Sequence, residues 1–206
     1  PQATDRARRR VHREALGEDP GMPEGRLVAG HDDGPVGWQS EFGPEQALRF
    51  TENEARTSTI RQWTGLTDDR IRKLYRSYLC EAGARRVQRL RGKSPHQAAH
   101  FLRTMRMRHE TALLASICSL LGVVPGIGAA PLPSRLIPGI RRGHLLCHAF
   151  EIYRSLIGEA QISFEHAVFL VESLARCEEL ATGLCHACSA LVVVDRLSLR
   201  EPCCNS

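Results

Sequence analysis

Four cysteines near one end of the sequence have the residue type and spacing for metal chemistry. Cys185 and Cys188 form a C-x-x-C pair, and the adjacent Cys203 and Cys204 follow. Between them "ALVVVD" (190–195) is short and β-branched, which predicts a strand, and Leu197–Leu199 offers a second strand leading back. Two cysteine pairs across a hairpin suit a tetrahedral zinc ribbon, with thiolates about 2.3 Å from the metal. One structural zinc ion would then staple a segment too small to fold alone. Free thiols are the alternative. A second C-x-x-C starting at Cys203 would need a thiol at Ser206, so either three or four thiolates serve. His186 and Asp195 are the substitutes for a missing ligand. The βαβ context of a redox C-x-x-C is absent. No general-base carboxylate stands near the cysteines in sequence, which argues against a catalytic zinc.

The other candidates for chemistry are weaker. His144 and His148 are spaced i, i+4 with Cys147 beside them, but they lack the glutamate of H-E-x-x-H. Their expected place is on a packed helix. Gly126 and Gly128 form a lone G-x-G without the Lys-Ser/Thr of a phosphate loop. Cys80, Cys118, Cys147 and Cys177 read as small buried hydrophobes. No nucleophile–base pair and no paired carboxylates emerge, so the chain is not expected to be an enzyme.

Charge is concentrated. Residues 1–55 carry 7 basic and 11 acidic groups, whereas residues 56–108 carry 14 basic and only 3 acidic ones. Such a block is the electrostatic footprint of a polyanion, most simply nucleic acid, and double-stranded DNA is the partner expected once the helix-turn-helix-like pattern below is added. A solvated helix face with no partner is the alternative. An RNA partner is disfavoured, because no aromatic or glycine signature of the common RNA-binding modules is present.

The elements that must position these residues follow from periodicity and punctuation. Residues 1–50 are Gly- and Pro-punctuated and predict a disordered extension; "RARRR" (6–10) reads as a loose basic tail. Residues 51–63 predict a helix, "TGLT" (64–67) a turn and residues 68–79 a second helix. Thr67 is its N-cap, and Ile71, Leu74, Tyr75 and Tyr78 form a buried stripe. Arg70, Arg72, Lys73 and Arg76 then face outward, which is a helix-turn-helix-like pattern able to meet phosphates or base edges; a plain helical hairpin is the alternative. The basic connector after it adds Arg85, Arg86, Arg89, Arg91 and Lys93 as competing DNA contacts.

Ser94 and Pro95 are expected to open a helical stretch over 96–122. A Gly/Pro loop (122–140), a helix over 141–157 and a Ser163-capped helix over 164–182 stopped by Gly183 follow. The fold class is therefore mainly α. It divides into the extension 1–50, a helical DNA- and partner-binding domain 51–182, and a zinc-ribbon-like β segment 183–206. With 42% hydrophobic but 5% aromatic residues, the core should be mostly aliphatic. Neither a membrane span nor an apolar signal segment is read, and reduced cysteines fit a cytoplasmic protein.

From about residue 56 to residue 204 the order of parts resembles the FlhC family, a subunit of the bacterial flagellar master transcriptional activator. The carriers are "TGLTDDRIRKLYR", "LRGKSP" (90–95) and the helix running into the C-x-x-C in "VESLARCEELATGLCHAC". The resemblance implies a mostly helical DNA-binding protein with a four-cysteine zinc site, acting in a hetero-oligomer with an FlhD-type partner. The complex would meet RNA polymerase and activate flagellar operons. The family's ligands fall on Cys185, Cys188 and one of Cys203 or Cys204. The fourth has no counterpart, so the expectation is a C-terminally shortened copy, with a disabled copy or a zinc-stapled protein-interaction module as the alternatives.

Overall fold

The computed structural model describes residues 37–81, 97–133, 137–199 and 201–204, with side chains from residue 43 onward and excluding 78–81. The expected disorder of residues 1–36, the basic tail 6–10, the Ser94–Pro95 cap and the connector residues Arg85, Arg86, Arg89, Arg91 and Lys93 lie outside the described residues, as do the side chains of Tyr78 and Cys80. The described part is mainly helical with one small antiparallel sheet. It divides into two compact units, one ending at Leu90 and the other beginning at Arg91.

Among the described residues, the first unit holds the helices α1 (Gly37–Glu52), α2 (Thr57–Thr64) and α3 (Asp68–Glu81). Helix α1 corrects the expectation that order begins at Thr51. Pro44 and the glycines hide its period, yet Ala47, Leu48 and Phe50 are buried against the other two helices. Packing overrides the weak local propensity. Phe50 meets Trp63 edge to face at 6.0 Å. The expected single helix over 51–63 breaks at Glu54, which takes a left-handed conformation, and restarts at Thr57. Gly65 ends α2 in the left-handed region at φ 72°, a conformation that costs glycine nothing. Thr67 then caps α3, its hydroxyl accepting from the Arg70 N–H at 3.4 Å. Ile71, Leu74 and Tyr75 face inward as their spacing predicts. The Tyr75 hydroxyl donates to the Ala55 carbonyl at 2.8 Å, tying α3 to the start of α2.

The second unit contains α4 (Ala99–Leu102), α5 (Met105–Leu120), α6 (Ile140–Ile157), α7 (Phe164–Arg176), β1 (Leu180–Leu184) and β2 (Leu191–Asp195). Helix α5 packs on α6, α7 and β2, and α7 on β1. The stretch expected as one helix over 96–122 is interrupted at Thr104, whose extended backbone and hydroxyl cap α5 by accepting from Met107 N–H at 3.2 Å. Carbonyls freed at the end of α4 are taken from α5: Arg108 Nε donates to Leu102 at 2.9 Å and the Thr111 hydroxyl to Phe101 at 3.4 Å. Buried Glu110 receives Arg106 Nε at 2.9 Å, the Gln161 N–H at 2.8 Å and the Tyr153 hydroxyl, joining α5, α6 and the turn before α7. Ser163 caps α7 as predicted, accepting from His166 N–H at 3.3 Å.

Two expectations near the cysteines are corrected. Helix α7 ends at Arg176, not at residue 182, because Cys177 adopts φ 52° and the Ser173 hydroxyl accepts the Leu180 N–H at 3.3 Å. The strand β2 falls within 190–195 as predicted, but its partner is β1, not Leu197–Leu199. Leu197 and Leu199 are fully exposed, whereas Leu180 and Val193 are buried, so the apolar surface to be covered selects the earlier segment. The β segment therefore starts before residue 183, at Leu180.

Candidate metal centre

The hairpin between β1 and β2 presents the C-x-x-C pair at its tip. The Cys185 N–H donates to the Ala190 carbonyl at 2.8 Å, and the Cys185 carbonyl accepts from the Ser189 N–H at 2.8 Å. Ser189 closes the turn in the left-handed region at φ 59°. This tight loop turns backbone N–H groups of Ala187 and Cys188 toward the Cys185 sulfur.

The chain then returns past β2 and brings Cys203 and Cys204 back. Gly183 permits the return: a Cβ built there would lie 3.5 Å from the Pro202 ring, so anything larger than a methyl would displace it. His186 fixes the returning segment, its backbone N–H and its Nδ1 both meeting the Pro202 carbonyl at 3.0 Å. A carbonyl only accepts, so Nδ1 carries the proton and Nε2 keeps the ring's free lone pair.

The outcome is a group of three thiols, Cys185, Cys188 and Cys204, with ligand atoms within 4.8 Å of one another. The Cys204 sulfur lies 3.7 Å from those of both Cys185 and Cys188. Tetrahedral coordination at about 2.3 Å places thiolates about 3.8 Å apart, so the spacing fits a metal the size of zinc. Cys203 belongs to a second, overlapping group with Cys185 and His186. All four cysteines named from the sequence are thus positioned to bind a metal ion, with His186 beside them. Asp195, the other proposed substitute, holds the Leu197 N–H at 2.9 Å and belongs to neither group.

Backbone N–H groups of Cys204, Ala187 and Cys188 stabilise the Cys185 thiolate and bring its pKa down to about 6. The opposite holds at Cys204, where the neighbouring sulfurs of Cys185 and Cys188 push the thiol up to about 11. Crowded sulfurs of this kind resist carrying negative charge together, and a bound cation removes that resistance. Cys185 is buried and Cys188 exposed, so the cluster lies at the surface.

The remaining candidates are placed elsewhere. His144 and His148 are exposed on α6 and enter neither group. Cys118 and Cys147 are buried core residues as expected, the first with its thiol pushed up to about 12 by desolvation, while Cys177 is half-buried at the end of α7. Arg70, Arg72, Lys73 and Arg76 are all exposed on α3. Arg72 pairs with Asp69 at 3.0 Å. Sequence reasoning missed Gly183, Ser189 and Pro202 as architects of the centre; only the small residue at 183 and the proline beside Cys203 hinted at a close approach. Among the described residues no helix is long and apolar enough to cross a membrane. No protein-family model matches the chain, and no curated protein matches it.

Proposed function

We propose that this protein is a DNA-binding transcriptional activator whose β hairpin is stapled by one structural zinc ion. Following the resemblance of its motifs, it acts with an FlhD-type partner on flagellar genes, and α2, the Gly65 turn and α3 serve as its helix-turn-helix. The observation that carries this reading is the two-sidedness of α3. Its inner face, Ile71, Leu74 and Tyr75, is buried, and its outer face offers Arg70, Arg72, Lys73 and Arg76 to solvent. Four cations on one rigid helix suit phosphates and guanine edges. Zinc is favoured among metals because the site is built of thiolates at tetrahedral spacing.

The test is fluorescence anisotropy of labelled duplex DNA across a salt series, with and without an FlhD-type protein. The expected result is binding that weakens steeply with salt, since each phosphate contact contributes about 0.9 to the slope of log K against log salt. The triple variant R72E/K73E/R76E should lose it. Unchanged function in that variant would favour the second reading, a metal-stapled protein-interaction module. The Arg72–Asp69 pair, which already occupies one of the four cations, is the observation on that side.

A further inference from the structure

Helix α6 carries two histidines that the thiolate centre leaves unused. His144 and His148 lie in the body of an 18-residue helix, away from either end. Leu146, Ala149, Phe150 and Tyr153 are buried and seat that helix on the core of the second unit. His144 and His148 are exposed on the opposite side. A spacing of i, i+4 is about one helical turn, so the two side chains rise from one line of the surface with Cβ atoms about 5–6 Å apart. The buried face holds the helix, and the helix holds that separation.

Paired imidazoles at this spacing can act as a chelate. Side chains on successive turns close on one ion from the same side, the arrangement by which a single helix supplies two zinc ligands in H-E-x-x-H sites. The glutamate that serves those sites as general base is absent here, so the pair binds without catalytic equipment. Imidazole nitrogen suits nickel, copper and zinc, whereas magnesium and calcium take oxygen ligands. Among the described residues neither histidine belongs to a group of three ligand atoms, so water fills the remaining positions of a bound ion. The nearest charges on the same line oppose each other. Glu151 stands one turn after His148 and Arg141 one turn before His144, both exposed, so the imidazole pair decides the site.

We infer that His144 and His148 form a second metal site, a surface chelate for a nitrogen-preferring divalent transition metal such as nickel. It differs in kind from the thiolate centre. With two protein ligands and the rest water, its ion exchanges readily, whereas an ion held by thiolates on a hairpin is built into the fold. This inference rests neither on the DNA-binding reading nor on the cysteines.

The test is calorimetric titration of untagged, zinc-treated full-length protein with nickel(II), read beside absorption spectra and zinc content. The expected result is a nickel site without sulfur-to-nickel charge transfer and with no release of zinc. H144A and H148A should each weaken it about tenfold or more, because one arm of the chelate is lost. Both positions are exposed and alanine favours helices, so circular dichroism should not change. H109A removes an exposed histidine that has no second histidine one turn away, and should leave the affinity unchanged. Absence of nickel binding, binding that survives in H144A/H148A, or an equal loss in H109A would overturn the proposal. Sulfur-to-nickel charge transfer accompanied by zinc release would overturn it too, by placing the ion on the cysteines.

Discussion

His186 meets the Pro202 carbonyl twice at 3.0 Å, through its backbone N–H and through Nδ1. That pairing holds Cys204 against a knuckle from which it is separated by the whole of β2. A ligand supplied by a returning segment is only as well placed as the contact that fixes the segment, so the metal centre depends on a residue that need not touch the metal.

H186A should therefore weaken metal binding without abolishing it. Loss of an outer-shell partner typically costs 10–100-fold in affinity, and C185S or C204S should cost more because a thiolate itself is lost. Competition with a chromophoric chelator measures all three. Equal affinity in H186A and the parent would remove His186 from the account.

Gly183 should tolerate alanine and reject valine. A single Cβ meets Pro202 at ordinary contact distance, 3.5 Å, but the branches of valine extend past it. Valine favours strands in general, so a loss of metal affinity in G183V with little change in G183A would isolate the steric effect from propensity. The same chelator competition, read beside circular dichroism, separates the two.

Stability should fall in acid through Glu110. Despite a desolvation penalty that raises its pKa, hydrogen bonds from Tyr153, Gln161 and Arg106 hold it below the ordinary carboxylate value in the folded protein. A depressed folded pKa gives stability that is fully present above the unfolded pKa, about 4.5, and is lost as pH falls through the folded value. Urea titrations from pH 7 to pH 3 should therefore show a decline that is flatter in E110Q, whose stability at neutral pH is lower by about 1–3 kcal/mol. A parallel decline in both would contradict this role.

Tyr75 anchors the proposed DNA-reading helix. Y75F leaves the Ala55 carbonyl without its 2.8 Å donor in a buried place and should cost about 1 kcal/mol, read by denaturant unfolding. Its DNA affinity at temperatures where it remains folded should match the parent, because the hydroxyl lies on the face away from Arg72 and Arg76.

Much of the helical layout was legible. The i, i+3, i+4 stripe of α3, the Gly65 turn, the Thr67 and Ser163 caps and the strand at "LVVVD" depend on local chemistry, and local chemistry is what a sequence displays. The failures share a cause. Helix α1 rests on tertiary burial of Ala47 and Phe50 across a proline and glycines that erase its period. The end of α7 was set by Ser173, a side chain seven residues from the amide it captures. Pairing of β1 with β2 was hidden because "LATGL" has no clear alternation and continues a helical pattern. At the metal centre the ligand types were plain from spacing alone. The grouping of Cys204 with Cys185 and Cys188, and of Cys203 with His186, depends on the path past Gly183, which no motif records.

The most direct measurement is cobalt(II) titration of the full-length protein, purified without metal, followed by displacement with zinc. One equivalent of cobalt should give the intense visible absorption and the sulfur-to-metal charge-transfer band of a tetrahedral thiolate site. Zinc should bleach both at one equivalent, and C185S, C188S and C204S should each lose them. Weak octahedral absorption, or no saturation near one equivalent, would contradict the claim that these cysteines form a metal centre.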